Sequence, residues 1–229
     1  MKYLLCLITI CLTACASAQI IQYNIKGIAP KNDAYVYLST FLEQPERKEI
    51  ELFRSTKIEN GKFQFEGKYD LKGELLPYAF LFIDKRADVP KQEVISKLQN
   101  MVWVPGREHN LKVIMIEDME VSIGHPDSVI LAKVTEKGYL TKESEELNTA
   151  VMEGNRKLLE IIKKYPNSPA SAEAVVFFAE TTIKSDAERT KAKFGSPDEM
   201  FELLSDEFRR SERGVKLKRK IDELIKSWQ

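Results

Sequence analysis

Cysteine and histidine supply most redox, nucleophilic and transition-metal sites in proteins, and this sequence contains few of either. All three cysteines, Cys6, Cys11 and Cys15, fall within the first 15 residues, and none follows. A thiolate nucleophile, a Cys-x-x-Cys redox pair and a thiolate metal site each need cysteine in the folded part of a protein. The sequence therefore excludes these three kinds of site from residues 16–229.

The two histidines, His109 and His125, both lie in predicted turns. His125 is close to Asp127 and a His–Asp pair can orient a base, but no Gly-x-Ser-x-Gly elbow supplies a nucleophile. Two histidines also fall short of a zinc ligand set, and no glycine-rich phosphate loop occurs. We therefore expect no catalytic, cofactor-binding or metal site. A glycosidase-type carboxylate pair stays open, because such pairs have no fixed spacing in a sequence.

Binding is the chemistry that the remaining side chains favour. Three aromatic residues in predicted strands either line a face for sugars or peptides or belong to the core. Three basic residues on the outer face of the predicted last helix form either a solvated surface or a docking surface for an acidic partner. The candidate binding residues are Tyr35, Tyr37, Trp103, Lys216, Arg219 and Lys220.

Residues 1–18 have the layout of a secretory signal peptide. One positive charge, Lys2, precedes an apolar run at residues 4–12 and then a series of small residues. The run is shorter than the about 20 apolar residues that a membrane-spanning helix needs. We therefore predict an exported protein of a Gram-negative bacterium, located in the periplasm or anchored by lipid at an envelope membrane.

Two cleavage sites overlap in this segment. Residues 16–18 (ASA) form an A-x-A site, which would leave Gln19 as the first residue. Residues 12–15 (LTAC) resemble a bacterial lipobox, which would remove residues 1–14 and leave a lipidated Cys15. The sequence does not separate these alternatives, so Cys15 is a candidate lipidation site.

The charge of the chain is balanced. It has 35 Lys and Arg residues and 35 Asp and Glu residues, and removal of the signal would take away one positive charge, Lys2. Nucleic-acid-binding domains usually have a clear basic excess. We therefore expect no nucleic-acid partner, and contact with a membrane only through a lipid at Cys15.

Alternating apolar residues predict an antiparallel β-domain at residues 20–125. The clearest local signal is Asn60-Gly61, which is typical of a type I′ turn and predicts a hairpin over residues 56–67. In that hairpin Ile58 would face Phe63 on the buried side. The opposite side would be polar, with Glu59 facing Lys62 and Lys57 facing Gln64.

Three further predictions concern the rest of this domain. Residues 77–83 (PYAFLFI) are apolar on both faces and predict a central strand. Residues 101–104 and 111–116 predict a second hairpin, and residues 89–98 a short helix or a loop between these strands. Residues 120–123 predict the last strand.

From residue 127 the apolar residues repeat every three to four positions, which predicts an all-helical domain of about four helices at residues 127–229. The first helix is expected at about residues 142–164. Ser168-Pro169 and a capping box that begins at Ser196 predict the starts of the next two. The last is expected from Glu212. The predicted fold class is therefore α+β, with a β-sandwich or open barrel before the helices.

Several of these segments are similar to one bacterial envelope family. They are residues 23–27 (YNIKG), 33–38 (DAYVYL), 58–67 (IENGKFQFEG), 165–169 (YPNSP) and 204–221 (LSDEFRRSERGVKLKRKI). In this order they resemble the N-terminal domain of unknown function and the helical segment of envelope thioredoxin-like thiol–disulfide oxidoreductases. A thioredoxin-like domain follows in that family. This sequence contains no Trp-Cys-x-x-Cys motif, so we expect no counterpart of the family's redox residues.

The leading hypothesis is a non-enzymatic envelope module that acts by binding a ligand or protein of unknown identity. Two alternatives stay open. The resemblance implies an accessory subunit of a thiol–disulfide redox system, acting with a separate thioredoxin-like protein. The aromatic residues of the strands suggest instead a carbohydrate-binding β-domain.

Overall fold

The computed structural model describes residues 19–40 and 49–228; the predicted signal, with Cys15, lies outside them. A strand-rich part is followed by a helical part, which confirms the predicted α+β class. The strands are β1 (Ile20–Ile28), β2 (Tyr35–Thr40), β3 (Phe53–Lys57), β4 (Lys62–Asp70), β5 (Tyr78–Asp84), β6 (Leu111–Met115), β7 (Met119–Ser122) and β8 (Lys133–Lys137). The helices are α1 (Lys91–Gln99), α2 (Tyr139–Glu153), α3 (Lys157–Lys164), α4 (Pro169–Thr181), α5 (Ala187–Phe194), α6 (Pro197–Glu202), α7 (Asp206–Arg210) and α8 (Glu212–Trp228).

The strands form two four-stranded sheets. The first sheet has the order β4-β1-β7-β8 and the second has the order β3-β2-β5-β6. All pairs are antiparallel except β1 with β7, which is parallel, so the predicted purely antiparallel pairing was wrong at that position. Strand β5 lies inside its sheet, as its two apolar faces predicted.

Strand β8 was not predicted, because the sequence pattern placed the last strand at residues 120–123 and only helices from residue 127. It pairs with β7 and extends the first sheet. Its residues are polar except Val134, and most of them are exposed. The alternation of apolar and polar residues that marks a half-buried strand is therefore nearly absent from β8.

The core of the sandwich lies between the two sheets. It is built from inward-facing residues of both, among them Ile25 and Met119 of the first sheet and Leu38 and Leu81 of the second. Each of these four is almost completely buried. Successive strand residues point to opposite faces, so the same strands also present a second set of side chains outward.

The Asn60-Gly61 turn forms as predicted, but the hairpin does not continue beyond it. Asn60 and Gly61 have φ values of 52° and 77°, and Glu59 pairs with Lys62. From there β3 pairs with β2 and β4 pairs with β1, so Ile58 does not face Phe63 as expected. The β1–β4 ladder runs the full length of both strands, which satisfies more backbone groups than the short hairpin would.

The turn therefore connects the two sheets. The buried side of the predicted hairpin is nevertheless correct, because Ile58, Phe63 and Phe65 all belong to the sandwich core. Alternation along each strand decided which residues are buried, whereas tertiary contacts decided the partners.

Residues 84–110 cover the outer face of the second sheet. Helix α1 lies here, in agreement with one of the two predicted alternatives. The expected strand at residues 101–104 was wrong: the backbone N–H groups of Val102 and Trp103 both donate to Lys97 O, at 2.9 and 3.0 Å. These bonds fold the segment back on the end of α1, so only β6 remains of the second predicted hairpin.

Between Tyr139 and Trp228 the structure has seven α-helices, which are shorter and more numerous than predicted. The expected helix at residues 142–164 is divided into α2 and α3 by three consecutive residues with positive φ: Gly154, Asn155 and Arg156. The predicted starts of α4, α6 and α8 are confirmed.

The helices pack against one end of the sandwich. Leu76 and Met115 of the strand-rich part share a core with side chains of α2, α3, α4, α6 and α8. Polar contacts close the junction: Thr141 Oγ1 donates to Glu117 Oε1 at 2.8 Å and accepts from Met115 N at 3.0 Å. Nowhere in the two described ranges does a helix combine the length and apolar character needed to span a membrane.

Candidate functional site

Two of the three aromatic candidates are core residues. Tyr37 is 1% exposed and stacks on Phe82 with ring centroids 4.7 Å apart. Trp103 is 8% exposed and meets Phe82 edge-on at 5.1 Å. Tyr35 is half-buried and packs against the same cluster. The prediction that these rings line a binding face is therefore wrong for Tyr37 and Trp103, and the alternative, burial in the core, is confirmed.

These rings are buried because residues 84–110, the insertion that contains α1, are held over them by hydrogen bonds and ion pairs. Tyr37 Oη donates to Arg86 O at 2.7 Å and accepts from Val89 N at 3.1 Å. Arg86 also bridges Asp84 and Glu93. Hydrogen bonds from Arg86 and then Lys97 lower the pKa of Glu93 to about 2.

The basic row on α8 is exposed but largely compensated by acidic side chains. Lys216 pairs with Glu212 of the same helix, and Lys220 with Glu180 of α4, each at 2.7 Å. Arg219 is exposed and makes no ion pair within residues 19–40 and 49–228. Of the three candidate residues, Arg219 is therefore the one without an ion pair in the described ranges, and the docking of an acidic partner here stays a prediction.

Both histidines, His109 and His125, are exposed. His125 caps a short 3-10 helical segment, since its Nδ1 accepts from Asp127 N at 3.1 Å. Its side chain and that of Asp127 are both mostly exposed. Among the residues that the structure describes, no group of three His, Cys, Asp or Glu side chains is placed to hold a metal ion.

A groove of about 740 Å³ crosses the first sheet. All four strands of that sheet contribute to its lining, together with the end of β3 and the β3–β4 turn. It is larger than two cavities of about 500 and 290 Å³ on the helical part of the molecule. It brings side chains of five strands and one turn together around one space, so we take it as the candidate site.

The strand register shows which polar side chains of the groove are neighbours across the sheet. Lys26 on β1 lies opposite Gln64 on β4 and, on its other side, opposite Glu120 on β7. These three residues form a row across the outer face of the sheet. Lys62 lies opposite Ile28 and is therefore a diagonal neighbour of Lys26, at the about 7–8 Å typical of such positions.

Local hydrogen bonds hold several of these groups. Gln64 Nε2 donates to Asn24 Oδ1 at 3.0 Å. A β-bulge at Glu120 brings Thr135 of β8 close, and Thr135 Oγ1 donates to Glu120 O at 3.3 Å. At the rim, Lys57 pairs with Asp33 at 3.3 Å, and this hydrogen bond raises the pKa of Lys57.

The floor of the groove depends on a glycine. A Cβ added at Gly27 would lie 2.2 Å from Phe63 Cζ and 2.7 Å from Val121 O. Real Cβ atoms do not approach other atoms so closely, so the ring of Phe63 packs against β1 only because residue 27 has no side chain. Phe63 belongs to the sandwich core, so this contact lies on the buried face of the sheet, beneath the polar row.

One part of this site was visible in the sequence. Lys57, Glu59, Lys62 and Gln64 form the polar side of the predicted hairpin, and all four line the groove. Alternation around Asn60-Gly61 was the signal. The other half was missed, because neither the parallel β1–β7 pair nor strand β8 has a signature in the sequence.

Comparisons of the chain with protein-family models, with curated proteins and with solved structures gave no match. The resemblance to envelope oxidoreductases therefore stays a prediction.

Proposed function

We propose that this protein is a non-enzymatic binding module of the bacterial cell envelope, and that it holds its ligand in the groove on the first sheet. The groove is the observation that carries the proposal. Its volume of about 740 Å³ falls in the range of about 300–1,000 Å³ that is usual for ligand sites. The envelope location rests on the signal-like pattern of residues 1–18.

The chemistry of the lining supports recognition. Its polar side chains are Lys, Glu, Gln, Asn and Thr, and no His, Cys or Ser lines the groove in the described residues. Amide, ammonium, carboxylate and hydroxyl groups donate and accept hydrogen bonds in fixed directions. A serine or cysteine nucleophile activated by histidine, as in many hydrolases, therefore has no counterpart among the described residues of the lining.

A bulky residue in the groove tests the proposal. Thr135 lines the groove from β8, whereas Lys133, on the same face of the same strand, does not. Hydrogen–deuterium exchange is measured with and without polysaccharide and peptidoglycan fractions of a Gram-negative envelope. We expect at least one fraction to slow exchange in β1, β4 and β7. Thr135→Trp should remove this protection and Lys133→Trp should keep it.

Two results would contradict the proposal. In the first, no fraction slows exchange in the first sheet, or the slowing of exchange is unchanged in Thr135→Trp. The other is turnover: steady hydrolysis of an ester, glycoside or peptide substrate, lost in a single variant such as Glu120→Gln, would make the groove an active site.

A further inference from the structure

We infer that the ligand of the groove is an acidic oligosaccharide whose carboxylate groups are bound by Lys26 and Lys62. This inference rests on the proposed function and adds the chemical class of the ligand. It depends on three properties of the groove: two unpaired cations, a row of hydrogen-bonding groups and few apolar contacts.

The two lysines are the first property. They are diagonal neighbours on β1 and β4, and neither makes an ion pair within the described part of the chain. Exposed lysines elsewhere differ in this respect: Lys57 pairs with Asp33 and Lys72 with Glu51, whereas Lys68, also on β4, makes no ion pair in the described ranges. Two like charges at this spacing repel each other, and an anion between them would be attracted by both. Glu120 lies opposite Lys26 and Glu59 opposite Lys62, but neither carboxylate forms an ion pair with these lysines in the described residues, so both ammonium groups stay open to a ligand carboxylate at the β4 side of the groove.

The polar row is the second property. Gln64 in the row and Asn60 in the β3–β4 turn each have an amide donor and acceptor, Glu120 in the row accepts, and Thr135 on β8 has a hydroxyl group. Sugar hydroxyl groups both donate and accept, so closely spaced groups of both kinds complement them. The four strands of the sheet lie about 4.8 Å apart, so the polar groups from Gln64 on β4 to Thr135 on β8 extend over about 14 Å, which suits a short linear chain.

The lack of apolar anchors is the third property. Among the groove residues the one exposed large apolar side chain is Ile28, and Phe63 is 5% exposed. Protein and peptide partners are usually held by aromatic or aliphatic side chains in desolvated pockets. The groove has no such pocket, which disfavours an acidic peptide.

Isothermal titration calorimetry with defined probes tests this inference. The probes are a hexamer of α-1,4-linked galacturonic acid and its fully methyl-esterified form, which has the same rings without the charges. We expect Lys26→Gln with Lys62→Gln to weaken binding of the acid at least tenfold, and each single variant to weaken it less. Lys68→Gln is the matched control, since Lys68 lies on the same face of β4 but outside the groove. It should bind like the wild type.

The ester and the salt dependence complete the test. The ester should bind the wild type at least tenfold more weakly than the acid and should not respond to the lysine changes. Raising the salt concentration should weaken binding of the acid in the wild type more than in the double variant, because screening removes an attraction that the variant lacks.

Different failures separate this inference from the proposed function. Equal affinity for acid and ester, or a double variant that binds the acid normally, overturns the ligand class and leaves the groove as a site. Hexaglutamate that binds as tightly as the sugar acid, and with the same lysine dependence, overturns the choice of a sugar. If no probe binds, the exchange experiment decides: protection of the first sheet retains the proposed function alone, and its absence removes both.

Discussion

The two sheets of the sandwich differ in what covers their outer faces. The second sheet presents Phe80 and Phe82 outward, and the α1 insertion covers them with Trp103 and other apolar side chains. The first sheet presents Lys26 and other polar side chains outward and carries an open groove. One sheet is thus buried on both faces, and the other on one face.

This difference shows why aromatic residues were poor guides to the binding face. A sheet face rich in Phe, Tyr and Trp exposes a large apolar area, and it is stable when another element covers it. The rings in such a face therefore become core residues. A polar face needs no cover, so it can stay accessible to a ligand. In this protein the candidate site lies on the first sheet, whose outward side chains are polar, and not on the sheet with the outward aromatic rings.

The largest expected effect is on the covered face. Phe82 is 1% exposed, and Phe82→Ala should lower the free energy of unfolding by about 3–5 kcal/mol, because it removes buried contacts and leaves a cavity. Ile28→Ala, on the open face where Ile28 is 55% exposed, should change it by less than about 0.5 kcal/mol. Urea unfolding followed by far-UV circular dichroism measures both. Similar losses in the two variants would mean that the faces are equally buried.

A smaller effect is expected at the floor of the groove. Gly27→Ala should lower the free energy of unfolding by about 1–3 kcal/mol, because the added Cβ must displace the Phe63 ring or the β7 backbone. Gly124→Ala is the control, since a Cβ at Gly124 meets nothing within 4 Å. Urea unfolding compares the two, and equal stability would show that the ring does not pack against β1 as described.

Acid should loosen the covered face before the open one. The pKa of Glu93 is lowered to about 2 by Arg86 and Lys97, whereas an unfolded glutamate titrates near about 4.3. A depressed carboxylate pKa stabilises the fold above the unfolded value, and this stabilisation is lost as the pH falls from about 4.3 towards 2. Trp103 fluorescence, in a Trp228→Phe background, should report a transition in this window.

Variants of two carboxylates check the cause of this transition. In Glu93→Gln the pH-dependent part of the signal should be smaller, because the ionisable group has been removed. Glu120→Gln, on the open face, should keep the transition of the parent protein. A transition that is unchanged in Glu93→Gln would assign the acid sensitivity to another group.

The smallest expected effect on stability is at the two groove lysines. Both are exposed and unpaired in the described residues, so Lys26→Gln with Lys62→Gln should change the free energy of unfolding by less than about 0.5 kcal/mol. Thermal and urea unfolding measure this, with Lys68→Gln beside it. A loss above about 1.5 kcal/mol would mean that the lysines support the fold, in which case a weaker ligand affinity would not demonstrate a contact.

Much of the fold was predictable because it depends on local rules. The Asn60-Gly61 turn, the N-cap at Ser168 and the capping box at Ser196 formed as their residue types predicted. The prediction of one helix at residues 142–164 was wrong because Gly154 and the two residues after it adopt positive φ. The spacing of the apolar residues gives no sign of this interruption. The edge strand β8 was missed because exposed edge strands lack apolar alternation.

The sequence by itself determined the fold class, the change from a strand-rich to a helical part, the buried side of the Asn60-Gly61 segment and the absence of cysteine chemistry after residue 15. These follow from residue types and short-range periodicity, which act within a few positions of the chain. The tertiary structure alone decided that β3 and β4 join different sheets, that Tyr37 and Trp103 are covered, and that Lys26 meets Gln64 and Glu120. Such pairings join residues far apart in the chain, where no local pattern selects the partner.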